Sequence, residues 1–208
     1  LIIGAGAAGL MCAATAGYRG KKVVVVDMGK KPGRKILISG GGRCNFTNEN
    51  ARAEHYICNN PHFTKSAISR YSAQDFIELV ERHGVNYHHK TLGQLFCDDS
   101  AQDIVNVLMT ECDWAGVEVH LRNEVLAVSK TQTGYQVTST SATYTCTSLV
   151  VASGGLTMPK LGASPIGYKI AEQFGLQIIP TTPALVPFTL HDHDKSRFDG
   201  LSGISIPT

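Results

Sequence analysis

The sequence contains no CxxC pair, only one tryptophan, and no apolar run near the roughly 18 residues needed to cross a bilayer. Its six cysteines (Cys12, Cys44, Cys58, Cys97, Cys112 and Cys146) are scattered, with no two closer than 14 positions. That spacing excludes a zinc ribbon or a dithiol redox motif. In a chain of this length it reads as reduced thiols in a cytoplasmic protein. Charge of either sign is also scarce in excess. A formal net charge of +2 makes no case for nucleic acid by itself, and the expected partner is a small molecule rather than nucleic acid or a membrane. His191 and His193 flank Asp192 with no third ligand completing a pattern, so no metal site is expected and this run reads as a solvated loop. The sequence opens inside the apolar run Leu1-Ile2-Ile3 and closes on the alternating Ile204-Ser205-Ile206, so both ends read as cut strands of a longer chain.

Glycine, by contrast, is plentiful: 21 of 208 residues, several in clusters. The first cluster, Gly4-Ala5-Gly6-Ala7-Ala8-Gly9, follows the strand Leu1–Ile3 and leads into a small-residue helix over Leu10–Tyr18 that stops at Gly20. The run Val23–Val26 reads as a strand buried on both faces, as in a parallel sheet covered by helices. Asp27 ends that strand, 18 residues after Gly9. Strand, GxGxxG turn, helix, strand and acid together form a dinucleotide-binding fingerprint. Gly4 permits the tight turn, Gly6 lets a pyrophosphate approach the backbone, and Gly9 lets helix and strand pack closely. The helix N-terminus offers free N–H groups to the phosphates. Asp27 is placed to accept hydrogen bonds from a ribose 2′-hydroxyl, and its charge repels the 2′-phosphate of NADP.

Residues 29–50 read as a long basic, glycine-rich loop of functional character. Two amphipathic helices follow, each opened by a capping-box pattern. Ser72 with Asp75 precedes Phe76, Leu79, Val80 and His83, and Ser100 with Asp103 precedes Ile104, Val107, Leu108 and Glu111. Val117–Leu121 alternates as a strand. Val125–Val128, Tyr135–Thr138 and Tyr144–Val151 then read as an antiparallel meander that returns to a core strand ending in Ala152-Ser153-Gly154. A last helix spans about Gly167–Phe174, and Pro180, Pro183 and Pro187 mark the exit from the domain. The meander favours FAD over NAD, because a simple NAD domain continues in βα units.

The stretch GKKPGRKILISGGGRCNFTN, with GAGAAGL before it and TLGQLFCDDSAQDIV and ASGGLTMPKLGASPIGYKIAEQFG after it, resembles a family of bacterial FAD flavoproteins. That family, the YhiN/BaiN group, is described as aminoacetone-oxidase-like or dehydro-bile-acid-reductase-like. The resemblance implies an α/β fold, a Rossmann-like FAD domain of the glutathione-reductase type. Residues 1–186 would form its N-terminal segment, and 187–208 the start of a truncated insert domain. It also implies that Gly4, Gly6, Ala7, Gly9, Asp27, Lys35, Gly40, Gly41, Gly42, Arg43, Cys44, Asn45, Ala152, Ser153 and Gly154 contact FAD. Val125 would offer its backbone to the adenine. Cys44 reads as a packed thiol of the flavin loop, and the pair His88-His89 as surface or core rather than an acid/base.

The function expected is an FAD-dependent oxidoreductase, foremost an NAD(P)H-linked reductase of a small organic substrate acting on an activated double bond. Alternatives are a flavin oxidase of a small amine or amino-ketone, a nucleic-acid-modifying flavoprotein motivated by the basic loop alone, and a flavin-holding regulatory protein without turnover. No catalytic residue is singled out.

Overall fold

The computed structural model describes residues 1–183 and 189–198. In chain order it contains β1 (Ile2–Ile3), α1 (Ala7–Tyr18), β2 (Val24–Val26), α2 (Arg34–Ile38), β3 (Asn45–Asn48), α3 (Lys65–Arg70) and α4 (Ala73–Arg82). There follow β4 (Tyr87–His89), β5 (Gln94–Cys97), α5 (Ala101–Trp114), β6 (Glu118–His120), β7 (Val125–Lys130), β8 (Tyr135–Ser139), β9 (Thr143–Cys146), β10 (Val150–Val151) and α6 (Ile166–Gln173). The central sheet is parallel, in the order β10-β1-β2-β6. The architecture is the expected α/β Rossmann type with an antiparallel meander.

The two-faced burial of the valine run creates two cores. Ile2 and Val25 point into a cluster with Leu10 and Ala13 of α1 and Ile104 and Leu108 of α5. Their neighbours Ile3 and Val26 point the other way, into a cluster with Val125, Val128 and Val137 of the meander and Ile170 of α6. Leu10, Val25 and Val26 are fully buried, and each contributes roughly 1.5–3 kcal/mol relative to exposure. The capping boxes form as the sequence predicts. Ser72 Oγ accepts from the Asp75 amide at 3.2 Å, and Asp75 accepts from the Ser72 amide at 2.6 Å. At α5 the Ser100 amide donates to Asp103 at 3.1 Å.

Three expectations need correction. The stretch 29–50 is not irregular: it folds into α2, a 3-10 turn over Ser39–Gly42 and the strand β3. That strand joins β5 and β4 in an antiparallel sheet of order β3-β5-β4 that the sequence reading did not foresee. Tyr144–Val151 is not one strand. Its first part pairs antiparallel with β8 while Val150 and Val151 pair parallel with β1, so the chain must leave one sheet for another. The helix after the glycine turn begins at Ala7, not Leu10. The domain boundary placed at 186/187 and the strand expected around residue 205 lie outside the described residues.

Glu111 on α5 is the one buried carboxylate among the described residues, 6% exposed. It accepts from His83 Nε2 at 2.7 Å and faces Arg82 at 3.4 Å, while His83 stacks on Trp114. Burial opposes its ionisation, but the bonds from His83 and Tyr18 and the charge of Arg82 outweigh that and hold the carboxyl below its ordinary range. A depressed carboxyl stabilises the fold above its unfolded pKa and loses that contribution as pH falls through the folded value. Glu111→Gln is therefore expected to cost about 1–3 kcal/mol at neutral pH. It should also flatten the stability profile below about pH 4.5, as read from urea melts at a series of pH values. An acid limb as steep as wild type would contradict the assignment.

Candidate functional site

The ends of β1, β2 and β10 converge on the glycine turn. Gly4 donates to the Val26 carbonyl at 2.8 Å, and Ala152 donates to that of Ile3 at 2.8 Å. Asp27 closes the arrangement: one carboxylate oxygen accepts from the Ala5 amide at 2.8 Å and the other from the Gly29 amide at 2.6 Å. The acid thus orients the turn as well as facing the cavity beside it. Its oxygens keep further lone pairs for a ribose hydroxyl.

Three adjoining cavities form one groove across this junction. The first, about 80 Å³, lies between Asp27, Asn123, Val125, Ser153 and Ile166. The second, about 230 Å³, runs over Gly4–Ala8, Lys35 and Ala152–Gly154. It shares Gly4, Asp27, Arg34, Ser153 and Gly162 with the first. The third, about 500 Å³, is apolar and lined by Met11, Cys44, Phe46, Tyr71, Phe76 and others, and it shares Ala7, Ala8, Lys35 and Ile36 with the second. The middle cavity sits at the N-terminus of α1, which has no side-chain cap and no acid in its first turn. Its free N–H groups and partial positive charge are therefore available to an anion.

The glycines separate protein packing from ligand room. A Cβ on Gly9 would lie 1.8 Å from the Gly4 carbonyl oxygen, so Gly9 is required by the backbone itself. A Cβ on Gly6 would meet nothing within 4 Å, and its φ of −91° suits any residue. The protein does not need a glycine at position 6; a diphosphate lying on the backbone does. The residues present fit an adenine dinucleotide.

Of the sequence-predicted residues, Gly4, Gly6, Ala7, Asp27, Lys35, Val125, Ala152, Ser153, Gly154, Cys44 and Asn45 line the groove. Gly9 supports it from behind. Gly40, Gly41, Gly42 and Arg43 lie outside the three cavities. Gly40 abuts the Phe96 ring, and Arg43 donates to the Asp98 carbonyl. Lys35 Nζ bonds the Gly155 carbonyl at 3.2 Å and Thr157 Oγ1 at 3.1 Å, which holds its charge over the Ala152–Gly154 turn. Burial pushes the Cys44 thiol up despite the Ser39 hydroxyl, so it packs as a neutral thiol. His88 bonds Asp98 at 2.7 Å and His89 bonds Glu49 at 3.0 Å, both away from the groove. Sequence reasoning missed Arg34, whose guanidinium lies 3.9 Å from Asp27 and against Gly162, at the seam of the first two cavities. Its only signal was membership in the basic run.

Two substitutions separate these roles in the intact protein. Gly6→Ala should leave the melting temperature within about 2 °C of wild type while reducing FAD retention at least tenfold. Gly9→Ala should lower the melting temperature outright, as expected when an interior is overpacked. Normal FAD retention by Gly6→Ala would contradict the cradle.

Comparison with known proteins places the arrangement. The chain is 56% identical over 208 residues, its full length, to the ribosomal RNA dihydrouridine synthase of Escherichia coli, and covers 52% of that protein. It is 26% identical over 203 residues to the 3-dehydro-bile acid delta(4,6)-reductase of Clostridium scindens, covering 96% of this chain and 49% of that one. The chain thus spans about half the length of the curated relatives it matches. Among solved structures, the Diels-Alderase PyrE3 of pyrroindomycin biosynthesis matches with a TM-score of 0.50 at 18% identity. That match covers 84% of this chain and 34% of PyrE3, a likeness of fold alone. Residues 1–197 match the HI0933-like protein Rossmann domain, and the chain belongs to that family.

Proposed function

We propose that this chain is the N-terminal part of the FAD-binding domain of a flavoprotein reductase whose substrate is a uridine in ribosomal RNA. The cofactor reading is carried by the continuous groove, which offers a small cavity beside Val125, an uncapped helix end and then an apolar cavity, in the order of adenine, diphosphate and flavin. Asp27 would bind the ribose hydroxyls. The α1 N–H groups and the charges of Lys35 and Arg34 would offset the diphosphate. The backbone at Val125 would meet the adenine edge. When bound, FAD supplies the hydride, which NAD(P)H delivers to it.

The choice of substrate is supported by the 56% identity to the Escherichia coli relative and by 54% identity to a Haemophilus influenzae relative with the same name. That similarity favours the nucleic-acid alternative over the small organic substrate. The names of these relatives and of the bile-acid reductase share a chemistry, the addition of hydrogen across a carbon–carbon double bond. In uridine that bond is C5=C6, conjugated to the C4 carbonyl. Saturating that bond would place a hydride on one carbon and a solvent-derived proton on the other, giving 5,6-dihydrouridine.

The full-length protein tests this. It should purify yellow, bleach anaerobically with NADH or NADPH, and convert uridine to dihydrouridine in ribosomal RNA from cells lacking the gene, as counted by nucleoside mass spectrometry. Asp27→Ala should lose most of its bound FAD and at least tenfold in activity. A yellow, reducible protein that leaves such RNA unchanged would contradict the substrate; a colourless one would contradict the cofactor.

A further inference from the structure

The segment between β3 and α4 is not consumed by the groove. It leaves the sheet after Asn48 and returns at Tyr71. The residues just before it, Cys44, Asn45 and Phe46, line the 500 Å³ apolar cavity, and so do Tyr71 and Phe76 at its far end. The segment therefore springs from and returns to the rim of the groove's flavin end. Its two halves are held together by a bond from Thr64 Oγ1 to the Ala53 carbonyl at 3.4 Å.

Its composition is unlike that of a folded interior. Phe63 is 76% exposed and Tyr56 50%, and Ile57 is completely exposed. On either side of them stand the exposed cations Arg52, Lys65 and Arg70, with Glu54 the only acid from residue 50 to residue 74. None of the three cations forms an ion pair among the described residues, in contrast to Arg34 and Arg82. His55 and His62 are also exposed here. Aromatic rings open to solvent and flanked by unpaired cations are what an unpaired nucleic-acid strand requires. The rings stack on bases whatever their identity, and the cations track the phosphates. A surface for a hydrophobic protein partner would not need the cations, and a solvated loop would not display the rings.

We propose that residues 52–70 form a single-stranded RNA platform that holds the substrate strand beside the groove and delivers a base to its apolar end. This rests on the RNA reading of the function. The platform supplies affinity and register; it takes no part in cofactor binding or in the chemical step. Its cations make binding depend on salt, because each phosphate neutralised releases a counterion.

Two variants of the full-length protein test the proposal: Tyr56→Ala with Phe63→Ala, and Arg52→Glu with Lys65→Glu and Arg70→Glu. The probe is protein-free ribosomal RNA from cells lacking the gene. Both variants should keep wild-type FAD content, melting temperature and rate of flavin reduction by NAD(P)H. Both should bind the RNA at least tenfold more weakly, with KM for RNA raised and kcat at saturating RNA little changed. The charge variant alone should show a shallower dependence of affinity on salt. RNA binding equal to wild type overturns the platform, as does loss of FAD or of thermal stability, which would place the segment against the rest of the polypeptide. Unchanged RNA binding with loss of a co-purifying protein overturns it in favour of a protein partner. Wild-type protein that makes no dihydrouridine removes the underlying reading, whereas active wild type with unaffected variants removes only the platform.

Discussion

The carboxylate of Asp27 holds the structure's key junction. It spends one oxygen on the Ala5 amide and the other on the Gly29 amide, tying the end of β2 to the glycine turn on one side and to the basic stretch on the other. From that junction α1 departs with its N-terminus uncovered, α2 brings Arg34 and Lys35 alongside, and the Ala152–Gly154 turn closes the opposite wall. A neutral or longer side chain at position 27 would change the turn, the basic arm and the ribose contact together.

The packing explains why this junction can be open and still rigid. The β1–β2 pair is sandwiched between two separate apolar clusters, one under α1 and α5 and one under the meander and α6. The glycine turn is therefore anchored from below by fully buried side chains and needs no side chain of its own to hold shape. Binding room above the turn costs the fold little. Tyr135 against Phe174, edge to face, and Gln173 to the Val128 carbonyl at 2.7 Å fix α6 to the meander, which keeps the small cavity beside Val125 in register with the rest of the groove.

Features written in local chemistry were legible in the sequence. The valine run, the GxGxxG turn and its following acid, and the two Ser-x-x-Asp caps each depend on residues within a few positions, and each stands where the pattern put it. The β3-β5-β4 sheet was not legible, because its strands are three or four residues long and Tyr87-His88-His89 carries no alternation. Its order is made by pairing Asn45–Asn48 with residues almost fifty positions away. The glycine triplet was expected against the cofactor from its openness and from the family resemblance. In the fold, Gly40 lies against Phe96, while Ser39, Cys44 and Asn45 line the apolar cavity. Arg34 was hidden for a related reason: a run of cations reveals charge but not which guanidinium turns toward the acid.

The account stands on recognition of a nucleotide's adenosine and diphosphate, with the flavin ring carried along by that grip. The most direct measurement is the identity and stoichiometry of the flavin released from the acid-denatured full-length protein, followed by reconstitution of the stripped protein with FAD or with FMN. The account predicts one FAD per chain and reconstitution by FAD alone, since FMN lacks every group that Asp27 and the Val125 cavity would hold. Equal retention of FMN, or stoichiometric flavin surviving Asp27→Ala, would contradict it.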